Sequence, residues 1–180
     1  YHCNDLILFS PFSMISDFFH PSIGGVEIHI FQLSRVLIQL GHRVIVITTR
    51  LGTYNGIHYL PLQRDNTEKE NSLKVYYLPV PKMVNGATWP TFYSNLPLLH
   101  LILHHEQVSL IHAHQAFSSL AHEALLHART MGIPTVFTDH SLFGFADGSS
   151  IITNKWLKFT MGDVGRVICV SHCRYKRLHL

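Results

Sequence analysis

The sequence predicts an α/β domain built on a doubly wound parallel sheet, and three observations carry that reading. Short runs of β-branched and other apolar residues alternate with stretches whose apolar positions recur at helical spacing, the pattern of successive βα units. Glycines stand where two of those helices should stop, at Gly41 and Gly132. The polar motifs come just after the apolar runs, and in a doubly wound sheet ligands bind at the carboxyl ends of the strands.

The elements follow in order. Pro11 lacks the N–H that a central strand needs, so the first strand starts at about Phe12 and ends in Asp17-Phe18-Phe19. Residues 1–13 are set aside as an atypical lead segment, and 14–180 are taken as one domain. The chain turns through Pro21 to Gly24-Gly25, and a helix begins at Val26 with Ile30, Leu33, Leu37 and Leu40 at helical spacing. Val44–Thr48 is a buried strand. Gln63–Ser72 is polar and charge-rich and reads as a mobile surface-loop insertion. Leu73–Val80 is the next strand, Pro97–Gln107 a helix, Val108–Ala113 a strand, Phe117–Met131 a helix and Pro134–Thr138 a strand. A helix over Asn154–Met161 and a last strand over Arg166–Ser171 complete the pattern.

Composition narrows the function classes. With 180 residues, 47% apolar and 14% charged, the chain can bury one real core. A net charge of +3 without a Lys/Arg block argues against a nucleic-acid partner. Cys3, Cys169 and Cys173 offer neither a disulfide framework nor zinc spacing, which favours a reducing, cytosolic setting. No apolar run reaches the ~18 residues of a membrane span, and no signal-peptide pattern is present. The start at Tyr1 and the stop at Leu180, inside a helical stretch, read as a piece of something longer.

Several motifs offer chemistry. Paired glycines at Gly24-Gly25 bring the backbone close to a ligand and aim helix N–H groups at it, which suits a phosphate or a sugar hydroxyl. The dinucleotide fingerprint GxGxxG is absent. His112-Ala113-His114 ends a strand, so both imidazoles share one face. They are polar contacts or an acid/base group lining a cleft, a metal pair without a third ligand of diagnostic spacing, or histidines satisfied by backbone carbonyls. Asp139-His140-Ser141 follows the next strand, where a histidine can donate to a substrate hydroxyl or a developing charge. It is otherwise a loop histidine, and without GxSxG a hydrolase triad is disfavoured. Ser171-His172 with Arg174 is an anion contact or a helix N-cap. Glu27 and His29 lie in the first turn of the first helix, where Glu27 complements the dipole. Leu96–Leu103 is apolar enough to touch a membrane surface, or to pack in the core.

Taken together, GGVExHI, IHAH, TDHS and CVS at the ends of successive strands resemble retaining GT-B glycosyltransferases of family 4. The longer strings MISDFFHPSIGGVEIHIFQLS, LKVYYLPV, HEALLHARTMG, TVFTDHSLFGFAD and ICVS closely resemble the PIG-A class, the catalytic subunits of phosphatidylinositol N-acetylglucosaminyltransferases. The resemblance runs from about Met14 to Ser171. It implies the Rossmann-like, acceptor-side N-terminal half of a GT-B enzyme, with the C-terminal donor domain and its E-x7-E motif outside this chain.

The resemblance also implies roles. Gly24 and Gly25 would approach the donor diphosphate. His140 would sit by the acceptor and the anomeric carbon as the key catalytic residue. Ser141 would help hold the inositol ring, Phe18 would lie near it, and His112 and His114 would line the same cleft. The donor would be UDP-N-acetylglucosamine and the acceptor phosphatidylinositol, in the first step of glycosylphosphatidylinositol (GPI) anchor synthesis. No metal or other cofactor is implied. The partners would be the other subunits of the transferase complex and a membrane surface, on the cytosolic face of the endoplasmic reticulum. Half a cleft cannot hold the donor, so residues 1–180 alone should be inactive. Two other readings remain: a non-catalytic isoform binding partner subunits or lipid, and a GT-B transferase with another lipid or polyol acceptor.

Overall fold

The computed structural model describes residues 11–62, 72–80, 95–140, 159–162 and 164–170. Their strands are β1 (Phe12–Ile15), β2 (Val44–Thr49), β3 (Gly56–Pro61), β4 (Ser72–Leu78), β5 (Leu110–His114), β6 (Thr135–Asp139) and β7 (Arg166–Cys169). The helices are α1 (Gly25–Gln39), α2 (Leu96–His105) and α3 (Ser119–Met131). The strands form one sheet in the order β3-β4-β2-β1-β5-β6-β7. Every pairing is parallel except β3 with β4. The order reverses direction between β1 and β5, the switch point at which open α/β sheets bind ligands.

β3 corrects the expectation of a wholly parallel sheet. It pairs antiparallel with β4, Gly56 opposite Tyr77 and Pro61 opposite Ser72. An antiparallel neighbour needs only a short return, whereas a parallel one needs a crossover of a dozen or more residues. Pro61 is tolerated because β3 is the sheet edge. Ser72, expected at the end of the surface loop, opens β4. Of that loop, residues 63–71 lie outside the described residues, as do the lead segment 1–10, most of the Asn154–Met161 helix, and Ser171, His172, Cys173 and Arg174.

Strand alternation sends successive residues to opposite faces. Met14, Val44, Val46, Val75 and Tyr77 face α1, where they pack with Ile30 and the partly buried Leu33 and Leu37. Ile15, Ile45, Ile47, Tyr76 and Leu78 face α2 and α3, against Leu99, Leu103, Leu120 and Ala124. Leu40 departs from its expected core position: it caps α1 and is 64% exposed. Gly41, at φ 90°, lets the chain leave by a Schellman turn, with Gly41 N–H donating to the Ile38 carbonyl and His42 N–H to Leu37. The apolar stretch on α2 is core on one side, through Leu99, Ile102 and Leu103, while Leu101 stands 64% exposed. Leu98 and Leu101 line an open, largely apolar groove of about 520 Å³ together with Ile57 and Tyr76. No helix of the described residues is long and apolar enough to cross a membrane.

The amino ends of the strands are tied by a buried carboxylate. Glu106, the C-cap of α2, accepts hydrogen bonds from Lys74 Nζ and Tyr76 OH through Oε1, and from Arg43 Nη2 at 3.3 Å through Oε2. Burial pushes the carboxyl pKa up, but the hydrogen bonds from Lys74 and Tyr76 and the charges of Lys74 and Arg43 outweigh it and hold it below its ordinary value. At the other end, β1 runs into Ser16 and Asp17, both fully buried.

Candidate functional site

The carboxyl ends of β1, β5 and β6 meet the first turn of α1, and four histidines gather there. Register places Met14 beside His112 and Ala113 beside Phe137. His112 and His114 therefore point to the α1 face, while Ile111 and Ala113 point into the opposite core. The two rings lie 4.0 Å apart, centroid to centroid. His112 Nε2 is 2.7 Å from Thr138 Oγ1. His114 Nδ1 is 3.2 Å from Nε2 of His140, the residue directly after β6. From α1, the His29 ring stands 4.8 Å from that of His140 and 5.7 Å from that of His114.

Burial governs the electrostatics of this cluster. It pushes His112 down to about 4, with the His29 and His140 rings adding to the effect. His114 is fully buried and lies well below its ordinary value, through burial first and then through His112, His140 and His29. Both rings are neutral at pH 7, so each presents one N–H and one lone pair. His114 Nε2 has no hydrogen-bond partner among the described residues. His122 shows the contrasting structural case. Its Nε2–H donates to the Ala116 carbonyl at 2.8 Å and its Nδ1 accepts from Thr160 Oγ1 at 2.8 Å, so both nitrogens are used.

The glycine turn sits one helical turn before His29. Gly24 is the N-cap of α1 in an extended conformation, and no side-chain hydrogen bond caps this helix. The helix begins at Gly25, one residue earlier than expected. Its first N–H groups carry the partial positive charge of a helix N-terminus, and the Glu27 carboxylate of the first turn complements it. Glu27 folds its carboxylate over Gly24, where an added Cβ would lie 2.5 Å from Oε2. At Gly25 an added Cβ would meet nothing within 4 Å, and the residue is exposed. Open space at Gly25 is what close approach by a ligand requires.

Of the sequence-predicted site residues, the structure brings His112, His114 and His140 into one cluster, with Gly24 and Gly25 on the helix that carries His29. Phe18 follows β1, half-buried, its N–H donating to Ser16 Oγ at 3.1 Å. Ser141 lies outside the described residues. Sequence reasoning left His29 without a role. The available signal was its place four residues after Gly25, one turn into a helix aimed at the strand ends. Thr138, the hydroxyl partner of His112, was likewise not singled out.

This arrangement defines a fold class, the doubly wound α/β sheet found in GT-B glycosyltransferases. The fold superposes on sucrose-phosphate synthase from Thermosynechococcus elongatus with a TM-score of 0.64 at 17% identity, over 94% of this chain and 45% of that one. It superposes on MurG of Acinetobacter baumannii with a TM-score of 0.55 at 16% identity, over 89% of this chain and 41% of that one. The sequence assigns the family. The profile of PIGA (GPI anchor biosynthesis) matches residues 54–147, just over half of the chain, and the chain belongs to that family. It is 52% identical to a phosphatidylinositol N-acetylglucosaminyltransferase subunit from Homo sapiens, over 88% of this chain and 31% of that protein. It is 53% identical to the gpi3 subunit of the same transferase in Schizosaccharomyces pombe, over 89% of this chain and 34% of that protein. The chain thus spans about a third of the length of these relatives.

Proposed function

We propose that this chain supplies the acceptor side of a transferase that moves N-acetylglucosamine from UDP-N-acetylglucosamine to phosphatidylinositol, the first step of GPI-anchor synthesis. The observation that carries the reading is the His29–His114–His140 cluster at the switch point, one helical turn from the uncapped Gly24-Gly25 start of α1. His140, positioned by His114 at 3.2 Å, meets the acceptor hydroxyl and the charge that develops at the anomeric carbon. The Gly24-Gly25 start of α1 approaches the diphosphate of the donor. By family membership Ser141 would help hold the inositol ring and Phe18 would lie near it, and His112 lines the cleft, held by Thr138.

The family membership supports the remaining assignments. The reaction needs no bound metal, and the donor half lies in the part of the relatives that this chain does not span. The protein works with the other subunits of the transferase, at a membrane surface on the cytosolic face of the endoplasmic reticulum.

The test is His140→Ala in the complete protein within its complex, assayed for transfer from UDP-N-acetylglucosamine to phosphatidylinositol in membranes. We expect transfer to be lost with thermal stability and assembly of the complex retained. Unchanged turnover would remove His140 from the reaction. Equal transfer to an unrelated lipid or polyol would overturn the acceptor assignment.

A further inference from the structure

We infer that His29, His114 and His140 form a binding site for one divalent transition-metal ion of the zinc class, with one ring nitrogen from each. The three residues come from three elements: α1, one turn in from its start, the last residue of β5, and the residue after β6. One nitrogen of each lies within 4.8 Å of the other two. Around a tetrahedral zinc with Zn–N of about 2.0–2.1 Å, neighbouring ligand nitrogens stand about 3.3–3.4 Å apart. The His114–His140 pair is already at 3.2 Å, so only His29 has to close on it.

The donor set selects the ion. Three imidazoles without a carboxylate suit zinc, copper, nickel or iron(II), not magnesium or calcium. Three protein ligands leave a fourth position for water or another ligand, as in open zinc sites. A second observation points the same way. His114 is fully buried, and its Nδ1, the nitrogen that would ligate the ion beside His140 Nε2, has only that imidazole as a partner. His122, equally buried, spends both nitrogens on hydrogen bonds, and no such ligand group forms around it among the described residues.

The site goes beyond the proposed transfer reaction and does not depend on it. If that proposal holds, the ion would hold the His140 ring that the acceptor needs, making the site inhibitory.

The experiment uses the complete protein in its complex, free of any histidine tag and stripped with chelator. Zn²⁺ and Co²⁺ are added separately; bound metal is counted by elemental analysis after desalting, and the Co²⁺ ligand-field spectrum is recorded. The expected result is one ion per chain with a tetrahedral, nitrogen-ligated spectrum. His29→Ala and His140→Ala should each weaken binding by at least about 10- to 100-fold, the loss that even an outer-shell partner causes. Neither residue is fully buried, so both variants can fold even where His114→Ala does not.

His100 and His104, stacked on the exposed side of α2, are the competing surface pair. The double variant His100→Ala/His104→Ala should retain the ion. Loss of binding in that variant, or undiminished binding in His29→Ala and His140→Ala, would overturn the site, as would no stoichiometric metal at all. Metal content is read without any transfer assay, so its failure and the failure of the proposed function are separate outcomes.

Discussion

The backbone N–H of Asp17 donates to Ser118 Oγ at 2.9 Å across 101 positions of sequence. The same oxygen accepts from Ala121 N–H at 3.1 Å and so caps α3. One hydroxyl thereby fastens the loop after β1 to the helix after β5.

Ser118→Ala should therefore cost more than an ordinary cap. Loss of an N-cap removes about 1 kcal/mol, and leaving the buried Asp17 N–H without an acceptor adds about 1–3 kcal/mol. Urea unfolding should show a total near 2–4 kcal/mol at an unchanged m-value. A loss under about 0.5 kcal/mol would mean that water or a neighbouring group replaces the hydroxyl at both donors.

Glu106→Gln keeps the shape of the side chain and removes its charge. Lys74 loses its counter-ion in a site where Glu106 is only 4% exposed, while Arg43, 60% exposed, loses little. Breaking a buried pair costs about 3–5 kcal/mol. Lys74 is 24% exposed, and that solvent contact brings the expected loss to about 2 kcal/mol. The same substitution should leave turnover per folded molecule unchanged, since the carboxylate lies at the amino ends of the strands.

Acid should weaken the fold through His112 before most carboxylates titrate. Its folded value is depressed to about 4, so the unfolded chain binds the proton first, from about pH 6.5 downward. The stability contributed by the neutral ring is complete above that value and is lost as pH falls towards 4. At 1.36 kcal/mol per unit, His112 alone accounts for about 3 kcal/mol. Stability measured from pH 7.5 to 4.5 in the presence of chelator should fall, and His112→Asn should flatten the slope. A flat profile for the parent protein would contradict a buried neutral His112.

Gly25→Ala separates folding from ligand approach. The added methyl meets nothing within 4 Å, and replacing a helical glycine by alanine stabilises by about 0.4–1 kcal/mol. The melting temperature should hold or rise, while transfer by the complete protein falls because the methyl occupies the space the substrate needs. Full activity would show that nothing approaches the backbone there.

Much of this architecture is readable from residue patterns, and the exceptions have physical causes. The β-branched run of β2 and the Schellman glycine after α1 are local signals, and the structure uses both as their chemistry requires. The alternation in His112-Ala113-His114 placed both rings on one face because strand periodicity alone decides it. β3 escaped because an edge strand leaves its apolar residues outside: Ile57 is 52% exposed and Tyr59 46%. With Gly56 and Pro61 at its ends it carries turn punctuation, not a buried run. The place of His29 one turn after Gly25 is a local signal, but its contact with His140, 111 positions later, is not encoded by any local pattern. Glu106 read as the tail of a helix, because nothing near it in sequence announces Lys74 or Tyr76.

The sheet order has a consequence for synthesis on the ribosome. β1 pairs on one side with β2, but its other neighbour is β5, with Phe12 opposite Leu110. Translation at about 5–20 residues per second leaves an interval of about 5–20 s between the emergence of the two partners. For that time β1 presents a bare edge of unpaired N–H and C=O groups, flanked on both faces by apolar side chains such as Met14 and Ile15, that can pair with the wrong chain. Nascent-chain aggregation and chaperone capture should therefore peak while residues 50–110 are being made and subside once β5 closes the gap. Codon choice and ribosome speed across that stretch would then set the yield of folded protein without altering a single contact in it.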